Sequence, residues 1–463
     1  MKKRLAVLFI MSSLLVGCGQ TSIPNTTVTK GNSDDNEIKS YIDIELGKDY
    51  TDLKADITVL TPRTDLVQDT DAPNEFPDYL REFNKMYPNI NVLYESVTDY
   101  DFDVNNRLGS GGWGDICSIP PGVDNSKLAD YFEPYFTLEE IGDKYNFIWY
   151  KAYEDIVYGL PSTGNIQGLV YNKQVFKDAG IEELPKTPDE FLKDLQLIKD
   201  NTSAIPLYTN YAAGWTLLNW DYHVVSSAVG REDFKNDIIV TTKRPFVPYD
   251  DGTGPYAVYE LLYNAVEQGL IEDDPHNSSW ELCKGRINNG EIGCMVLGSW
   301  SVSQMKGAGD NADDIGYMPF PITIDGKQYT LSGSDYCYGI NKKSSETNKL
   351  ASMIYLKYMT DVSKYAYNNS CTPIVKGEEY PEEFKAFDEV ELIPDYPMSS
   401  TFESVSNASM KLLYDSGHVA EVIDGALEGR PFDEIMEEWN DSWENAVIAE
   451  SKKMNNEDMQ FSE

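Results

Sequence analysis

The sequence predicts an α/β fold, because strand-like and helix-like segments alternate along its 463 residues. An apolar run at 57–60 is followed by a helical stripe after Pro77, and a strand-like alternation returns at 90–94. Thr187 begins a further helix as an N-cap, with proline at the first helical position and glutamate three residues after the cap. A third helical stripe covers 350–358. This alternation favours layered sheets of parallel strands, with a ligand site where the strands end.

The composition limits the classes of function that the chain can have. It carries 77 acidic against 38 basic residues, which gives a formal charge of −39 at pH 7. Nucleic-acid binding requires a basic surface that displaces counterions, so we expect no nucleic-acid partner. With 41% hydrophobic and 12% aromatic residues, the chain is nevertheless globular, and its length suits two to three domains.

The amino terminus predicts export and anchoring. Three basic residues at 2–4 precede an apolar run that ends at Val16, as in a secretion signal. The run closes on Leu-Val-Gly-Cys, which resembles the bacterial lipobox, in which the cysteine is lipidated. We therefore expect a signal peptide at 1–17, lipidation at Cys18 and a flexible tether over 18–53, with an ordinary signal peptide as the alternative. The protein would then lie on the extracytoplasmic face of a bacterial cell membrane.

The cysteines and histidines predict neither a disulfide framework nor a metal site. Five scattered cysteines follow Cys18, and an odd set of this kind favours small buried thiols, although a pairing of Cys283 with Cys294 stays open. The three histidines are dispersed and no Cys-x-x-Cys is present. We expect no metal and no cofactor.

Five motifs follow one another in a specific order between residues ~55 and 450. They are the strand–helix–strand at 56–95, the segment 160–173 ending in Tyr-Asn-Lys, the segment 176–191, the apolar strand 290–300 ending in tryptophan, and the segment 338–344. Together they resemble the extracellular solute-binding proteins of ABC importers, in the sugar-binding, maltodextrin-binding-like branch. The order of the motifs is more specific than any one of them.

The resemblance implies a fold with two α/β lobes, joined by a hinge, and a ligand cleft between them. Lobe one would comprise 54–161 and 334–373. Lobe two would comprise 162–333 and 374–450, and a polar tail would follow at 451–463. The lobes would close on the ligand by a hinge motion.

Aromatic residues are the first candidates for contact with a sugar, because pyranose C–H faces stack on flat rings. Trp300 ends an apolar strand, and the resemblance places the family's stacking tryptophan at this position. Trp215 and Tyr211 lie in an aromatic-rich loop that a ligand explains better than a core does. By contrast, Trp439 belongs to a helical core stripe, and Trp280 opens a helix with no pattern that directs it to a cleft.

Polar candidates would bind the sugar hydroxyls. Arg63 and Asp65 follow the first strand, where family members contact ligand, and a solvated loop is the alternative. Asn165 lies in the first crossing between lobes, where turn chemistry explains an asparagine equally well. Asp335 lies where the chain returns to lobe one.

These observations predict a binding protein and not an enzyme. The expected function is capture of a neutral oligosaccharide by a monomer, which delivers it to ABC permease subunits in the membrane. Ser303 and Lys306 fit the Ser-x-x-Lys pattern of penicillin-binding enzymes, but no Lys-Thr-Gly accompanies them. Two alternatives stay open: the same fold with a peptide, polyamine or glycerol-phosphate ester, and a surface-anchored glycoside hydrolase.

Overall fold

The computed structural model describes residues 38–63, 76–97, 100–409 and 417–453. Its strands are β1 Ala55–Leu60, β2 Ile90–Glu95, β3 Ile116–Ser118, β4 Phe136–Thr137, β5 Ala152–Tyr153, β6 Ile156–Val157, β7 Leu160–Pro161, β8 Gly164–Asn172, β9 Ile205–Leu207, β10 Ile292–Gly298, β11 Ile315–Met318, β12 Tyr329–Ser334, β13 Cys337–Ile340 and β14 Glu391–Pro394. Its α-helices are α1 Phe76–Met86, α2 Tyr100–Leu108, α3 Leu128–Tyr131, α4 Leu138–Ile141, α5 Lys173–Ala179, α6 Pro188–Asn201, α7 Tyr222–Val229, α8 Ile239–Thr241, α9 Gly254–Glu267, α10 Trp280–Asn288, α11 Ser301–Lys306, α12 Glu346–Asp361, α13 Tyr365–Asn368, α14 Ser400–Ser409, α15 Gly417–Glu428 and α16 Phe432–Lys453. The predicted α/β class is confirmed.

The first large sheet has five strands in the order β2-β1-β3-β13-β7. β1 is parallel to β2 and β3, whereas β13 is antiparallel to β3 and β7. Apolar side chains cover both faces: Ile57 and Val59 pack into one core cluster and Leu60 into another. The expectation of parallel strands holds for β1, β2 and β3 but not for β13, which enters this sheet from the second one and runs antiparallel to its neighbours.

The second large sheet has the order β14-β12-β8-β10-β9, and β11 also pairs with β8. β8 is antiparallel to β10, β11 and β12, while the pairs β10–β9 and β12–β14 are parallel. Every residue of β10 is buried, since helices and loops cover both faces of the sheet. Cys294 and Val296 face one core cluster, and Met295 and Leu297 face another.

Three chain crossings connect the two sheets. The first joins β7 to β8 and the second joins β12 to β13; the third passes Thr372 on its way to β14. The crossings are hydrogen-bonded to one another: the Ser162 N–H donates to the Tyr336 carbonyl at 2.8 Å and the Asp335 N–H to the Thr163 carbonyl at 2.9 Å. Gly164 and Thr372 exchange two backbone bonds of 2.8 Å. Backbone bonding therefore aligns the three crossings side by side, within the region proposed as the hinge.

Two boundaries from the sequence need correction. Residues 39–53 are not part of a flexible tether, since Tyr41 is only 1% exposed and packs against the rings of Tyr135 and Phe136. The Lys357 ammonium also donates to the Tyr41 carbonyl at 2.7 Å. At the other end, α16 continues to Lys453, beyond the predicted start of the tail. The predicted signal peptide and Cys18 lie outside the described residues.

Two further features of the described residues concern membrane-spanning helices and cysteine pairing. Within these ranges, no helix has both the length and the apolar character needed to cross a bilayer. The five cysteines found there are buried thiols without a disulfide, so Cys283 and Cys294 do not pair. Burial raises the pKa of both thiols, that of Cys283 to about 12.

Candidate functional site

A cleft of about 710 Å³ lies where the crossings meet the two large sheets. Its volume falls within the range of ~300–1,000 Å³ that is typical of small-ligand sites. It is lined by Pro62, Arg63, Trp215, Trp280, Lys284, Trp300, Ser303, Gln304, Asp335, Tyr336, Asn369 and Cys371. Four of the predicted site residues are brought together here, namely Arg63, Trp215, Trp300 and Asp335.

Trp300 is held by the turn that links β10 to α11. The Ser301 hydroxyl donates to the Gly298 carbonyl at 2.8 Å, and the Ser299 hydroxyl accepts from the Ile166 N–H at 3.1 Å. The indole lies directly on the backbone of Gly298, where an added Cβ would come within 2.5 Å of the Trp300 Nε1. Because Gly298 has no side chain, the Trp300 ring can lie against its backbone at the edge of the sheet.

Trp215 lies on a 3₁₀ helix that begins directly after Gly214. The preceding turn needs left-handed backbone: φ is 59° at Asn210 and 70° at Gly214. The Thr216 hydroxyl closes the turn by donating to the Asn210 carbonyl at 2.8 Å. Trp215 is 45% exposed, and it lines the cleft.

Trp280 is a cleft residue that the sequence did not reveal. It is the first residue of α10, whose N-cap Ser279 donates its backbone N–H to the Tyr208 hydroxyl at 2.7 Å. Its ring centroid lies 5.1 Å from that of Trp215 and 5.8 Å from that of Trp300, and the latter two are 5.7 Å apart. A helix start fixes the position of a residue but not the surface that its side chain meets, so no sequence signal was available.

The charged groups of the cleft occur with groups of opposite charge. The Lys284 ammonium contacts Glu281 at 2.9 Å and lies over the Trp280 ring at 4.8 Å. Burial raises the pKa of Asp335, and the positive charge of Arg63 acts in the opposite direction. The Thr163 hydroxyl also donates to an Asp335 carboxylate oxygen at 3.4 Å. Balanced charges of this kind suit a neutral polar ligand better than an ionic one.

Two other predicted residues, Asn165 and Tyr211, do not line this cleft. The Asn165 side-chain oxygen accepts from the Ser299 hydroxyl at 3.3 Å, so this residue supports the turn before Trp300. The Tyr211 hydroxyl donates to Asp424 at 2.8 Å, and its ring lies 4.5 Å from that of His276. Asp65 lies outside the described residues.

Neutral hydrogen-bonding groups complete the lining. Ser303 and Gln304 lie on α11, within one helical turn of Trp300, and Tyr336 and Asn369 come from the crossings. Hydroxyl and amide groups can each donate and accept, as sugar hydroxyls do. Among the described residues, no group of three or more His, Cys, Asp or Glu side chains is placed to hold a metal ion.

Comparison with known proteins assigns this architecture to a family. Residues 68–361 match the sequence profile of the bacterial extracellular solute-binding proteins. The chain belongs to this family. The resemblance inferred from the five motifs is thereby confirmed, and so is the two-lobe α/β fold.

Two similar solved structures of solute-binding proteins come from Bifidobacterium animalis subsp. lactis. The manno-oligosaccharide-specific BlMnBP2, in complex with mannotriose, is 40% identical with a TM-score of 0.78. BlMnBP1, in complex with mannobiose, is 42% identical with a TM-score of 0.78, and each match covers 89% of this chain and 99% of the other. The multiple sugar-binding protein of Streptococcus mutans is 26% identical over 318 residues, which are 64% of this chain and 71% of that protein.

Proposed function

We propose that this solute-binding protein captures a neutral oligosaccharide outside the cytoplasmic membrane and delivers it to the permease subunits of an ABC importer. The observation that carries the proposal is the cleft itself, in which three indoles meet neutral hydrogen-bonding groups beside the crossings. Ligand that contacts both lobes would favour the closed state, which docks on the permease.

The chemistry of the lining favours sugars over the alternative solutes. A polyamine would require uncompensated carboxylates, and Asp335 is the one carboxylate among the lining residues described. A phosphate ester would require uncompensated cations, whereas Lys284 is bonded to Glu281. Because the similar structures contain mannobiose and mannotriose, manno-oligosaccharides are the first candidates.

The same lining favours binding without catalysis. Glycoside hydrolases generally need two carboxyl groups flanking the scissile bond, one as acid and one as base or nucleophile. The described lining supplies only Asp335. We therefore expect a bound oligosaccharide to be recovered intact after prolonged incubation, and release of cleaved sugar by the purified protein would favour the hydrolase alternative.

The experiment that tests the proposal is a thermal-shift panel on the purified protein. Mannobiose, mannotriose, maltotriose and raffinose are compared with spermidine, a tripeptide and glycerol 3-phosphate. A ligand at 100 times its Kd stabilises the folded state by about 2.7 kcal/mol, which is an easily measured shift. Stabilisation by a non-sugar alone would overturn the proposal.

Anchoring of the protein is the part of the proposal that rests on the amino-terminal sequence. The run ending in Leu-Val-Gly-Cys supports lipidation of Cys18 on the extracytoplasmic face of the membrane. Tyr41, which is buried in the fold, follows Cys18 by 23 residues, so a short tether would connect the lipid to the fold.

A further inference from the structure

Glu272 carries a buried carboxylate outside the lining of the cleft. The residue is only 5% exposed. One carboxylate oxygen accepts from the Thr209 hydroxyl at 2.7 Å, and the other accepts from the Thr209 N–H at 2.8 Å. Burial raises the pKa of Glu272, whereas hydrogen bonds from Thr209 and from the Asn210 backbone act in the opposite direction, because they favour the charged form. A hydroxyl and backbone N–H groups thus stabilise this carboxylate.

The Glu272 side chain joins two segments of the chain. Thr209 follows the end of β9 by two residues and begins the segment 209–216, which we call the Trp215 loop. Glu272 itself precedes α10 on the connection from α9. Before this point the two segments are aligned by the Leu207 N–H, which donates to the Leu270 carbonyl at 3.0 Å. The carboxylate extends that alignment to the residue where the Trp215 loop leaves the sheet.

The hydroxyl of Thr209 transmits this contact into the Trp215 loop. It donates its proton to Glu272 and accepts from the Tyr211 N–H at 3.3 Å. Between these residues lies Asn210, whose left-handed backbone and carbonyl bond to Thr216 close the loop on itself. The orientation of the Thr209 hydroxyl, and with it the start of the loop, is therefore set by the carboxylate. A hydrogen bond to a charged group is stronger than one between neutral groups, which suits this task.

We infer that Glu272 is a positioning residue whose carboxylate holds the Trp215 loop in the conformation that places Trp215 in the cleft. The inference rests on the proposed function and deepens it, because it assigns control of ligand affinity to a residue that does not line the cleft. When only a fraction of the molecules has the competent conformation, the apparent Kd rises by the reciprocal of that fraction.

The first experiment is calorimetric titration with mannobiose, mannotriose and maltotriose. Glu272→Gln keeps the shape of the side chain but turns an amide N–H₂ toward the donors, so Kd for the best sugar should rise about tenfold. Because Glu272 acts through Trp215, the same substitution made in Trp215→Ala should change Kd by less than about twofold. Thr209→Ser keeps the hydroxyl and should stay within about threefold of the wild type, whereas Thr209→Val should raise Kd about five- to tenfold.

The second experiment is hydrogen exchange of the protein without ligand. Glu272→Gln should speed exchange of the amides at 209–216 at least about tenfold. Asp115→Asn is the matched control, because the Asp115 carboxylate also accepts from a backbone N–H, that of Thr58 at 3.1 Å, and from a hydroxyl, that of Ser344 at 2.7 Å. This control should lower Tm but leave both Kd and exchange of the Trp215 loop within about twofold of the wild type.

Two outcomes would overturn the inference. One is unchanged exchange of the Trp215 loop in Glu272→Gln. The other is a loss of affinity that is equally large with and without the Trp215 side chain, which indicates a general structural role. If Glu272→Gln does not fold, Thr209→Val compared with Thr209→Ser tests the same hydrogen bond from its other partner. Failure of every sugar to bind the wild type would refute the proposed function, and the exchange comparison would still decide the role of Glu272.

Discussion

Replacement of Gly298 by alanine tests whether Trp300 is a ligand platform. The added Cβ would lie 2.5 Å from the Trp300 Nε1 and 2.7 Å from its Cδ1, so the indole has to move by about 1 Å to reach an ordinary contact distance of ~3.5 Å. The φ angle at Gly298 is not in the left-handed region, so alanine is not strained by the backbone itself. The steric conflict is therefore confined to the ring.

The expected loss of affinity depends on the direction in which the Trp300 ring can move. Overpacking of this kind costs about 1–3 kcal/mol when the surroundings are rigid. Trp300 borders the open cleft, so it can yield toward the ligand, and the cost then falls on binding. Since 1.4 kcal/mol corresponds to a tenfold change, we expect Kd for the best oligosaccharide to rise about 5- to 150-fold, with little change in Tm.

The assay is calorimetric titration together with thermal unfolding, and Gly293→Ala is the matched control. Gly293 lies on the same strand, but its added Cβ would meet the Pro206 carbonyl oxygen at 2.6 Å and is remote from Trp300. This control should lower Tm and leave the affinity of the folded protein unchanged. Normal affinity in Gly298→Ala, with Tm reduced as in the control, would refute the role of Trp300 as a platform.

Three further predictions concern other parts of the molecule. Trp439→Ala removes a buried ring packed on Phe246, so denaturation should show an unfolding free energy that is lower by about 3–5 kcal/mol, while Kd stays within about twofold. Trp300→Ala should instead raise Kd about 30- to 1,000-fold in calorimetric titration. Burial raises the pKa of Asp335, so its charged form opposes folding. Lowering the pH from 7 through that raised pKa should therefore stabilise the wild type relative to Asp335→Asn in urea unfolding. A stability difference that does not change with pH would contradict the raised pKa. Cys18→Ser should abolish lipid labelling and move the protein from the membrane to the soluble fraction, and an unchanged distribution would exclude the lipobox.

Local sequence patterns predicted several features of the fold. The capping pattern at Thr187 predicted the start of α6, and the Thr187 hydroxyl accepts from the Glu190 N–H at 3.3 Å. The apolar strand before Trp300 led to the ring at the end of β10. Such features are encoded within a few residues, where hydrophobic period and capping chemistry act directly.

These local patterns did not predict contacts between segments that are distant in the sequence. Nothing near Tyr41 indicates that a polar-flanked segment packs against rings almost a hundred residues later. Tyr211 and Trp215 belong to the same aromatic loop, yet a hydrogen bond to Asp424 holds the first outside the cleft. Trp280 enters the site because α10 packs beside that loop. No local sequence pattern predicts this tertiary contact.

The position of β13 between β3 and β7 has a consequence for the order of folding. Both neighbours are synthesised early, but Cys337 follows the end of β3 by about 220 residues and the end of β7 by about 175. At about 5–20 residues per second, β3 waits roughly 10–45 s for it and β7 roughly 10–35 s. Until then each has an unpaired edge, which can associate with other chains. An amino-terminal fragment that stops short of Cys337 is thus expected to aggregate, whereas the second sheet contains consecutive strands from β8 to β12 and can form first.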